Sequence, residues 1–139
     1  MAMINKKFAW FLSAFFLALS MIGCSDGMVR VSGKVTFSDG TPVTRGSVLF
    51  DSGIYSASGD IQPDGTYVLG ALSPGGGVRP GEYIALIEKN WDDPFDEVGN
   101  FICTFEVAPR FSSRETSNLK FTVETGKRNV FDIVVERKQ

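Results

Sequence analysis

The sequence predicts an all-β fold for residues 29–137, an antiparallel sandwich of seven or eight short strands. Apolar and polar residues alternate with a period of two through most of this region, as in a strand with one buried face. Turn-forming Gly, Pro and Asp residues recur between the alternating segments. No segment after residue 23 keeps helical spacing over ten residues. Short strands at this density are typical of two packed antiparallel sheets.

Four alternating segments make up the first half of the region. Their predicted inward-facing positions are Val29, Val31, Val35 and Phe37 in the first segment, Gly46, Val48 and Phe50 in the second, Tyr55, Ala57, Gly59 and Ile61 in the third, and Tyr67 and Leu69 in the fourth. Asp39-Gly40 and Pro63-Asp64-Gly65 predict tight turns between these strands, because Asp and Pro initiate turns and Gly accepts a positive φ.

A loop rich in Gly and Pro at 73–81 leads into the next predicted strand. Residues 83–87 are apolar on both faces, which indicates a central strand that is covered on both sides. A polar stretch at 89–100 follows, and 101–107 alternates again.

The chain is predicted to close with a hairpin. After an irregular loop at 108–117, the segments 119–124 and 130–136 both read as strands. The turn sequence at 125–129 is predicted to join them as antiparallel neighbours.

Residues 1–23 differ from the rest of the chain. Lys6 and Lys7 form a basic head without an acidic residue, and 8–22 are almost wholly apolar. This core of about fifteen residues is shorter than the roughly twenty that a membrane-spanning helix needs. A basic head before a short apolar core predicts an export signal peptide.

The end of the apolar core carries a recognisable motif. Leu19-Ser20-Met21-Ile22-Gly23-Cys24 resembles the lipobox of bacterial lipoproteins. The resemblance implies cleavage after Gly23 and a diacylglycerol thioether on Cys24, with acylation of the new amine. Several acyl chains hold a protein on a membrane almost permanently. Residues 24–28 are then a short lipidated tether, and Ser25 favours the outer membrane of the cell envelope, on its periplasmic or surface face.

Charge and composition exclude several functions. The chain has 14 basic and 16 acidic residues, and removal of Lys6 and Lys7 leaves 12 − 16 = −4 for the mature domain. A mildly acidic domain without a long basic run is not expected to bind nucleic acid. The chain contains no His, so His-activated nucleophiles and His-bearing zinc sites are excluded. We expect no cofactor and no enzymatic activity.

Cys103 is the second cysteine of the chain. It shares its parity with Phe101 and Phe105, which predicts a thiol directed into the core that behaves as a small apolar group. The alternative is a reactive or intermolecular thiol.

Three motifs together resemble the carboxypeptidase regulatory-like domains, a branch of the transthyretin-like β-sandwiches. They are Val31-Ser32-Gly33-Lys34-Val35 with Asp39-Gly40-Thr41-Pro42, then Asp64-Gly65-Thr66-Tyr67, and then Pro80-Gly81-Glu82-Tyr83. The resemblance covers residues 29–137 and implies a Greek-key, prealbumin-like sandwich. With the lipobox, the whole chain is similar to small lipoproteins of planctomycete- and lentisphaera-type bacteria.

The resemblance fixes the fold more closely than the function. One enzymatic branch of the transthyretin-like fold, the hydroxyisourate hydrolases, uses His residues, an Arg and a Tyr-Arg-Gly-Ser-type tail. This chain has no His and ends in Glu136-Arg137-Lys138-Gln139, so that activity does not carry over.

The best candidate for a specific site is the acidic, aromatic loop at 90–97. Its carboxylates, Asp92, Asp93, Asp96 and Glu97, are weak candidates for calcium ligands, although their spacing does not match an EF-hand. Its aromatic residues, Trp91 and Phe95, are candidates for contact with a sugar or a protein partner. The alternative is a solvated loop whose aromatic residues cover one end of the sandwich.

The sequence thus predicts a lipid-anchored envelope module that binds or supports an envelope protein or glycan. A carbohydrate- or calcium-binding module that works through the Trp91 loop is the alternative. The oligomeric state is left open.

Overall fold

The computed structural model describes residues 27–90, 97–100 and 105–139. The strands in these ranges are β1 Val31–Phe37, β2 Ser47–Asp51, β3 Ser56–Asp60, β4 Thr66–Val68, β5 Gly81–Glu88, β6 Lys120–Val123, β7 Asn129–Val130 and β8 Ile133–Val135. A single turn of 3-10 helix, Pro109–Ser112, lies within the loop that was predicted to be irregular. The all-β prediction is confirmed, with eight strands in the described ranges.

The strands form two sheets that pack face to face. One sheet has the order β3-β2-β5-β6, and all of its pairs are antiparallel. In the other sheet, β1 lies between β4 on one side and β7 and β8 on the other. Ser58 and Gly70 exchange backbone hydrogen bonds of 3.2 and 2.9 Å, which join the two sheets along the β3–β4 side.

The prediction of a wholly antiparallel sandwich is wrong for one sheet. Strand β4 is antiparallel to β1, whereas β7 and β8 run parallel to it, with Val31 beside Asn129 and Val35 beside Ile133. The reason is that the chain crosses from one sheet to the other after β6. Strands β7 and β8 then lie beside β1 and run in the same direction as β1.

The predicted hairpin at 125–129 is wrong for the same reason. Strand β6 pairs with β5, and the turn delivers the chain to the opposite sheet. The segment 124–128 forms an arch between the two sheets, and the buried side chain of Asn129 fixes it. Its Oδ1 accepts from the Glu124 N–H at 2.9 Å, and its Nδ2 donates to the carbonyls of Glu124 at 2.9 Å and Lys127 at 3.1 Å. These side-chain bonds take the place of the backbone ladder that a hairpin would form.

The core lies between the sheets and follows the predicted alternation. Val31, Val35, Phe37, Val48, Phe50, Ala57, Ile61, Tyr67 and Leu69 are all buried, whereas Val29 packs half-buried beside them. Tyr55, which was predicted to face inward, is instead exposed, because it lies in the turn before β3.

Aromatic rings from both sheets meet in this core. The Phe131 ring, from the segment between β7 and β8, stacks on Phe121 with 4.6 Å between ring centroids. Phe121 in turn stacks on Phe50 at 5.6 Å. Aromatic pairs at these distances stabilise a fold beyond their buried area alone.

The prediction that β5 is a central strand is confirmed, whereas its outer face is covered only in part. It lies between β2 and β6, with Tyr83, Ala85 and Ile87 in the core. On the other face Leu86 is buried and Ile84 is half-buried. Strand β6 pairs only with the first half of β5.

The loop before β6 completes this edge of β5. The Ala85 N–H donates to the Leu119 carbonyl at 2.8 Å, and the Ser117 hydroxyl donates to the Ala85 carbonyl at 2.6 Å. The Ser112 hydroxyl donates to the Ile87 carbonyl at 2.7 Å. The irregular loop therefore satisfies backbone groups that a longer β6 would otherwise pair.

The strand registers define two ends of the sandwich. The proximal end consists of the segments 27–30, 52–55, 69–80 and 124–128, because Val29 pairs with Val78, and the first residues of β1 and β5 lie beside Asn129 and Val123. The distal end lies at the opposite ends of the same strands. It consists of the segments 38–46, 61–65, 89–90, 105–107 and 136–139.

Candidate functional site

Most of the predicted site residues lie outside the described part of the chain. These are Cys24, Trp91, Asp92, Asp93, Phe95 and Asp96, together with Cys103. Glu97 is described and is exposed. Their roles in lipidation, calcium binding and partner contact therefore stay predictions.

The segments on either side of the acidic loop are fixed at the distal end. Strand β5 ends at Glu88, and the chain returns at Phe105, whose ring lies against Gly46. A Cβ on Gly46 would lie 2.6 Å from the Glu88 carbonyl oxygen and 2.9 Å from the Phe105 ring, so the close approach depends on glycine. The loop thus leaves and rejoins the sandwich at the same end.

Arg137 holds the returning segment to the distal end of β1. Its guanidinium lies 3.9 Å from the centroid of the Phe37 ring. It also forms ion pairs with Glu106 and, at 3.6 Å, with Asp39, and it donates to the Thr41 hydroxyl at 2.9 Å. Hydrogen bonds from Thr41 lower the pKa of Asp39, with a smaller contribution from Arg137. This arrangement joins three segments and is a structural clamp at the base of the loop.

The proximal end carries a basic groove. Arg30, Lys127 and Arg128 line a cavity of about 390 Å³ together with Val29 and Asn129. Lys127 pairs with Glu124 at 2.7 Å. Among the residues that the structure describes, Arg30 and Arg128 have no carboxylate partner.

The sign of the charge at this end opposes that of the whole domain. The four proximal segments contain four basic residues and one acidic residue, Glu124, which gives 4 − 1 = +3. The mature domain as a whole carries 12 − 16 = −4. The basic groove is therefore a local feature, and it lies beside the point where the predicted tether joins the fold.

Large apolar side chains are exposed at the same end. Ile54, in the turn between β2 and β3, is 83% exposed, and Leu72, in the loop between β4 and β5, is 87% exposed. Tyr55 is half exposed, and the Arg79 guanidinium lies 4.5 Å from the centroid of its ring and donates to its hydroxyl at 3.2 Å. Exposed apolar residues flanked by cations are typical of surfaces that contact a membrane.

Sequence reasoning missed this surface. Its residues come from four segments that are far apart in sequence, and each segment alone resembles an ordinary turn. The available signal was the presence of Ile54 and Leu72 in segments rich in Gly, Ser and Pro, where turns usually carry polar residues.

No group of three or more metal-ligating side chains lies together in the part of the chain that the structure describes. Within the same ranges, no helix is both long and apolar enough to cross a membrane. Comparison with protein-family models, curated proteins and solved structures finds no match to this chain. The fold and its two ends define the class of the protein, which is a two-sheet β-sandwich domain.

Proposed function

We propose that the chain is a lipid-anchored module of the bacterial cell envelope, held to a membrane through Cys24, that binds or supports an envelope protein or glycan at its distal end. Residues 1–23 serve as the signal peptide and 24–28 as the tether. The observation that carries the proposal is the separation of the two ends. The chain enters the fold at the proximal end, and the acidic loop leaves it at the distal end.

The tether is short, which sets the distance from the membrane. Five residue steps from Cys24 to Val29 span at most roughly 18 Å. Val29 is fixed in the fold by two backbone hydrogen bonds with Val78, of 2.9 and 2.8 Å. The seven residues of β1 extend about 23 Å further. The proximal end therefore lies near the headgroups, and the described segments that flank the acidic loop, 89–90 and 105–107, lie at the opposite end of the sandwich.

We further propose the Greek-key, transthyretin-like arrangement of the carboxypeptidase regulatory-like domains. Turn chemistry at the motifs supports it. Asp64 Oδ1 accepts from the backbone N–H of Thr66 at 3.0 Å and from its hydroxyl at 2.6 Å, and Asp39 does the same with Thr41 at 2.9 and 2.6 Å.

The motif tyrosines also support the assignment. Tyr67 follows the Asp64 turn and Tyr83 follows Pro80-Gly81. Both side chains are buried, and both hydroxyls donate to backbone carbonyls, that of Phe131 at 2.6 Å and that of Arg79 at 2.8 Å. Buried tyrosines ordinarily find such a partner.

Substitution of the predicted lipidation site tests the anchor. Cys24→Ala should leave an uncleaved or mislocalised precursor, because the thioether forms on that sulfur. Cys103→Ser is the matched control and should be processed normally. A Cys24→Ala chain that is still cleaved after Gly23 and still fractionates with membranes would overturn the proposal.

A second candidate function is carbohydrate or calcium binding by the Trp91 loop. The observation that favours it is that both flanks of the loop are clamped at the end away from the predicted anchor. The chain has two tryptophans, Trp10 and Trp91, so Trp91 is the single tryptophan after signal cleavage. Its fluorescence is therefore a direct probe of this loop.

Titration of that fluorescence with Ca²⁺ and with soluble envelope glycans separates the two ligands. For calcium, a saturable change should disappear in Asp93→Asn with Asp96→Asn and persist in Asp60→Asn, which is an exposed aspartate outside the loop. For a glycan, Trp91→Ala removes the fluorophore, so its binding is measured by isothermal titration calorimetry. This variant should lose glycan binding and keep the denaturation midpoint of the parent chain. No change with either ligand contradicts this candidate. A transthyretin-like hydrolase is not proposed, since that chemistry uses His and the chain has none.

A further inference from the structure

We propose that the proximal end is itself a membrane-docking surface for an anionic phospholipid bilayer. In this arrangement Ile54 and Leu72 enter the headgroup region, and Arg30 and Arg128 bind lipid phosphates. The inference rests on the proposed anchoring at Cys24 and adds a second, non-covalent contact that fixes the orientation of the domain.

The placement of the four proximal segments is the first step. Asp51 pairs with Ser56, so the turn that carries Ile54 lies at the end of β2 and β3 that is nearest the start of β5. Val29 pairs with Val78, which brings the loop containing Leu72 beside the first residues of the fold. The arch at 124–128 lies at the same end, because Asn129 pairs with Val31.

The apolar residues of this end are suited to a bilayer. Ile54 and Leu72 lie in separate loops, and each is more than four-fifths exposed. Isolated apolar side chains at the tips of loops can each enter the boundary between headgroups and acyl chains. Tyr55, with Arg79 on its ring, has the amphipathic character that favours the membrane interface.

The cations supply complementarity to anionic lipid. A guanidinium binds phosphate oxygens in a bidentate fashion. The groove that holds Arg30 and Arg128 is open to solvent at the end where the tether begins, and neither has a carboxylate partner among the described residues. Basic residues next to a membrane are attracted to anionic lipid within a Debye length.

Geometry favours a bilayer over a protein partner as the occupant. A tether of at most roughly 18 Å leaves little room for a folded protein between the headgroups and the proximal end. The net charge of the domain is −4, so a domain held near an anionic surface is repelled unless its basic end faces that surface.

Tryptophan probes in the full chain test the proposal. In a Trp91→Phe background, the variants Ile54→Trp and Leu72→Trp place a probe at the proximal end, and Gln62→Trp is the matched control in an exposed distal turn. The signal of the Trp91→Phe chain alone is the baseline. Each chain is reconstituted into vesicles of brominated phosphatidylcholine with phosphatidylglycerol, or of brominated phosphatidylcholine alone, and quenching by the bromines is measured.

The expected result is quenching at positions 54 and 72 and none at 62, stronger with phosphatidylglycerol and weakened by 1 M salt, at which the Debye length is about 3 Å. The pair Arg30→Gln and Arg128→Gln should lower the ratio of docked to undocked domain about fivefold per arginine. The pair Lys34→Gln and Lys138→Gln removes the same charge from other surfaces and should have little effect.

Equal quenching at all three positions, or none at 54 and 72, overturns the docking surface. The anchor is judged separately, by the mass of the N-terminal peptide from the same preparation. A chain without diacylglycerol that is still quenched at position 54 contradicts the anchor alone. A lipidated chain without quenching contradicts docking alone.

Discussion

The Tyr67 hydroxyl donates to the Phe131 carbonyl oxygen at 2.6 Å, and the bond passes over Gly33 in the intervening strand. Gly33 in β1 pairs with Tyr67 in β4, whereas Phe131 lies between β7 and β8 on the other side of β1. A Cβ on Gly33 would lie 1.9 Å from the Phe131 oxygen and 2.9 Å from the Tyr67 hydroxyl. The missing side chain of Gly33 therefore allows a bond that crosses β1 and ties β4 to the segment between β7 and β8.

Gly33→Ala should destabilise the domain by about 3 kcal/mol or more, because the close contacts include backbone atoms that no rotamer change can relieve. Gly126→Ala is the matched control. Its added Cβ meets nothing within 4 Å, so only its positive φ contributes, at about 1–2 kcal/mol. Urea denaturation midpoints measure both, and equal losses would contradict the packing argument.

Tyr67→Phe should cost about 1–2 kcal/mol at neutral pH, since the Phe131 carbonyl loses its donor. The effect should also depend on pH. Burial, and to a smaller extent the Asp132 carboxylate, raises the pKa of Tyr67 above its ordinary value near 10. The unfolded chain then releases this proton first as the pH rises. The contribution of the Tyr67 hydroxyl to the free energy of unfolding is therefore complete below about pH 10 and declines above it.

Denaturation midpoints measured between pH 8 and 12 check this dependence. The difference between the parent chain and Tyr67→Phe should shrink as the pH rises above 10. Tyr55→Phe, at a half-exposed tyrosine, is the control. A difference that is constant over this range would show that the Tyr67 hydroxyl is not desolvated.

Ile87→Ala should cost about 2–5 kcal/mol, because Ile87 is fully buried in the central strand β5. Ile54→Ala removes the same atoms from a side chain that is 83% exposed and should change stability little. Chemical denaturation compares the two. An undetectable change at Ile87 would contradict the position of β5 at the centre of its sheet.

Asn129→Ala should cost about 1–3 kcal/mol, since it removes three part-buried hydrogen bonds between the buried Asn129 side chain and the backbone of Glu124 and Lys127. Asn118→Ala, at an exposed position, is the control and should be nearly neutral. Thermal unfolding measures both variants. If the two losses are equal, the arch does not depend on the Asn129 side chain.

Local patterns predicted most of the fold. The alternation in β1 to β5 depends on neighbouring residues, so the sequence alone identified these strands and most of their buried faces. The hairpin failed because the turn sequence at 125–129 does not specify which sheet receives the next strand. That choice depends on the buried Asn129 amide and on a parallel partner about a hundred residues away.

The candidate surfaces also differ in whether a local sequence pattern could predict them. Cys24 and the acidic loop were identified from contiguous motifs, and Cys24 and residues 91–96 of the loop lie outside the described residues. The proximal surface was not predicted, because Ile54, Leu72 and Arg128 are brought to one end only by strand pairing. No local pattern records that proximity.

Mass spectrometry of the N-terminal peptide of the membrane-extracted protein is the decisive test of anchoring at Cys24. We expect a chain that begins at Cys24 and carries a diacylglycerol thioether on its sulfur. A mature chain that begins at any other residue, or that carries an unmodified Cys24 thiol, would contradict it.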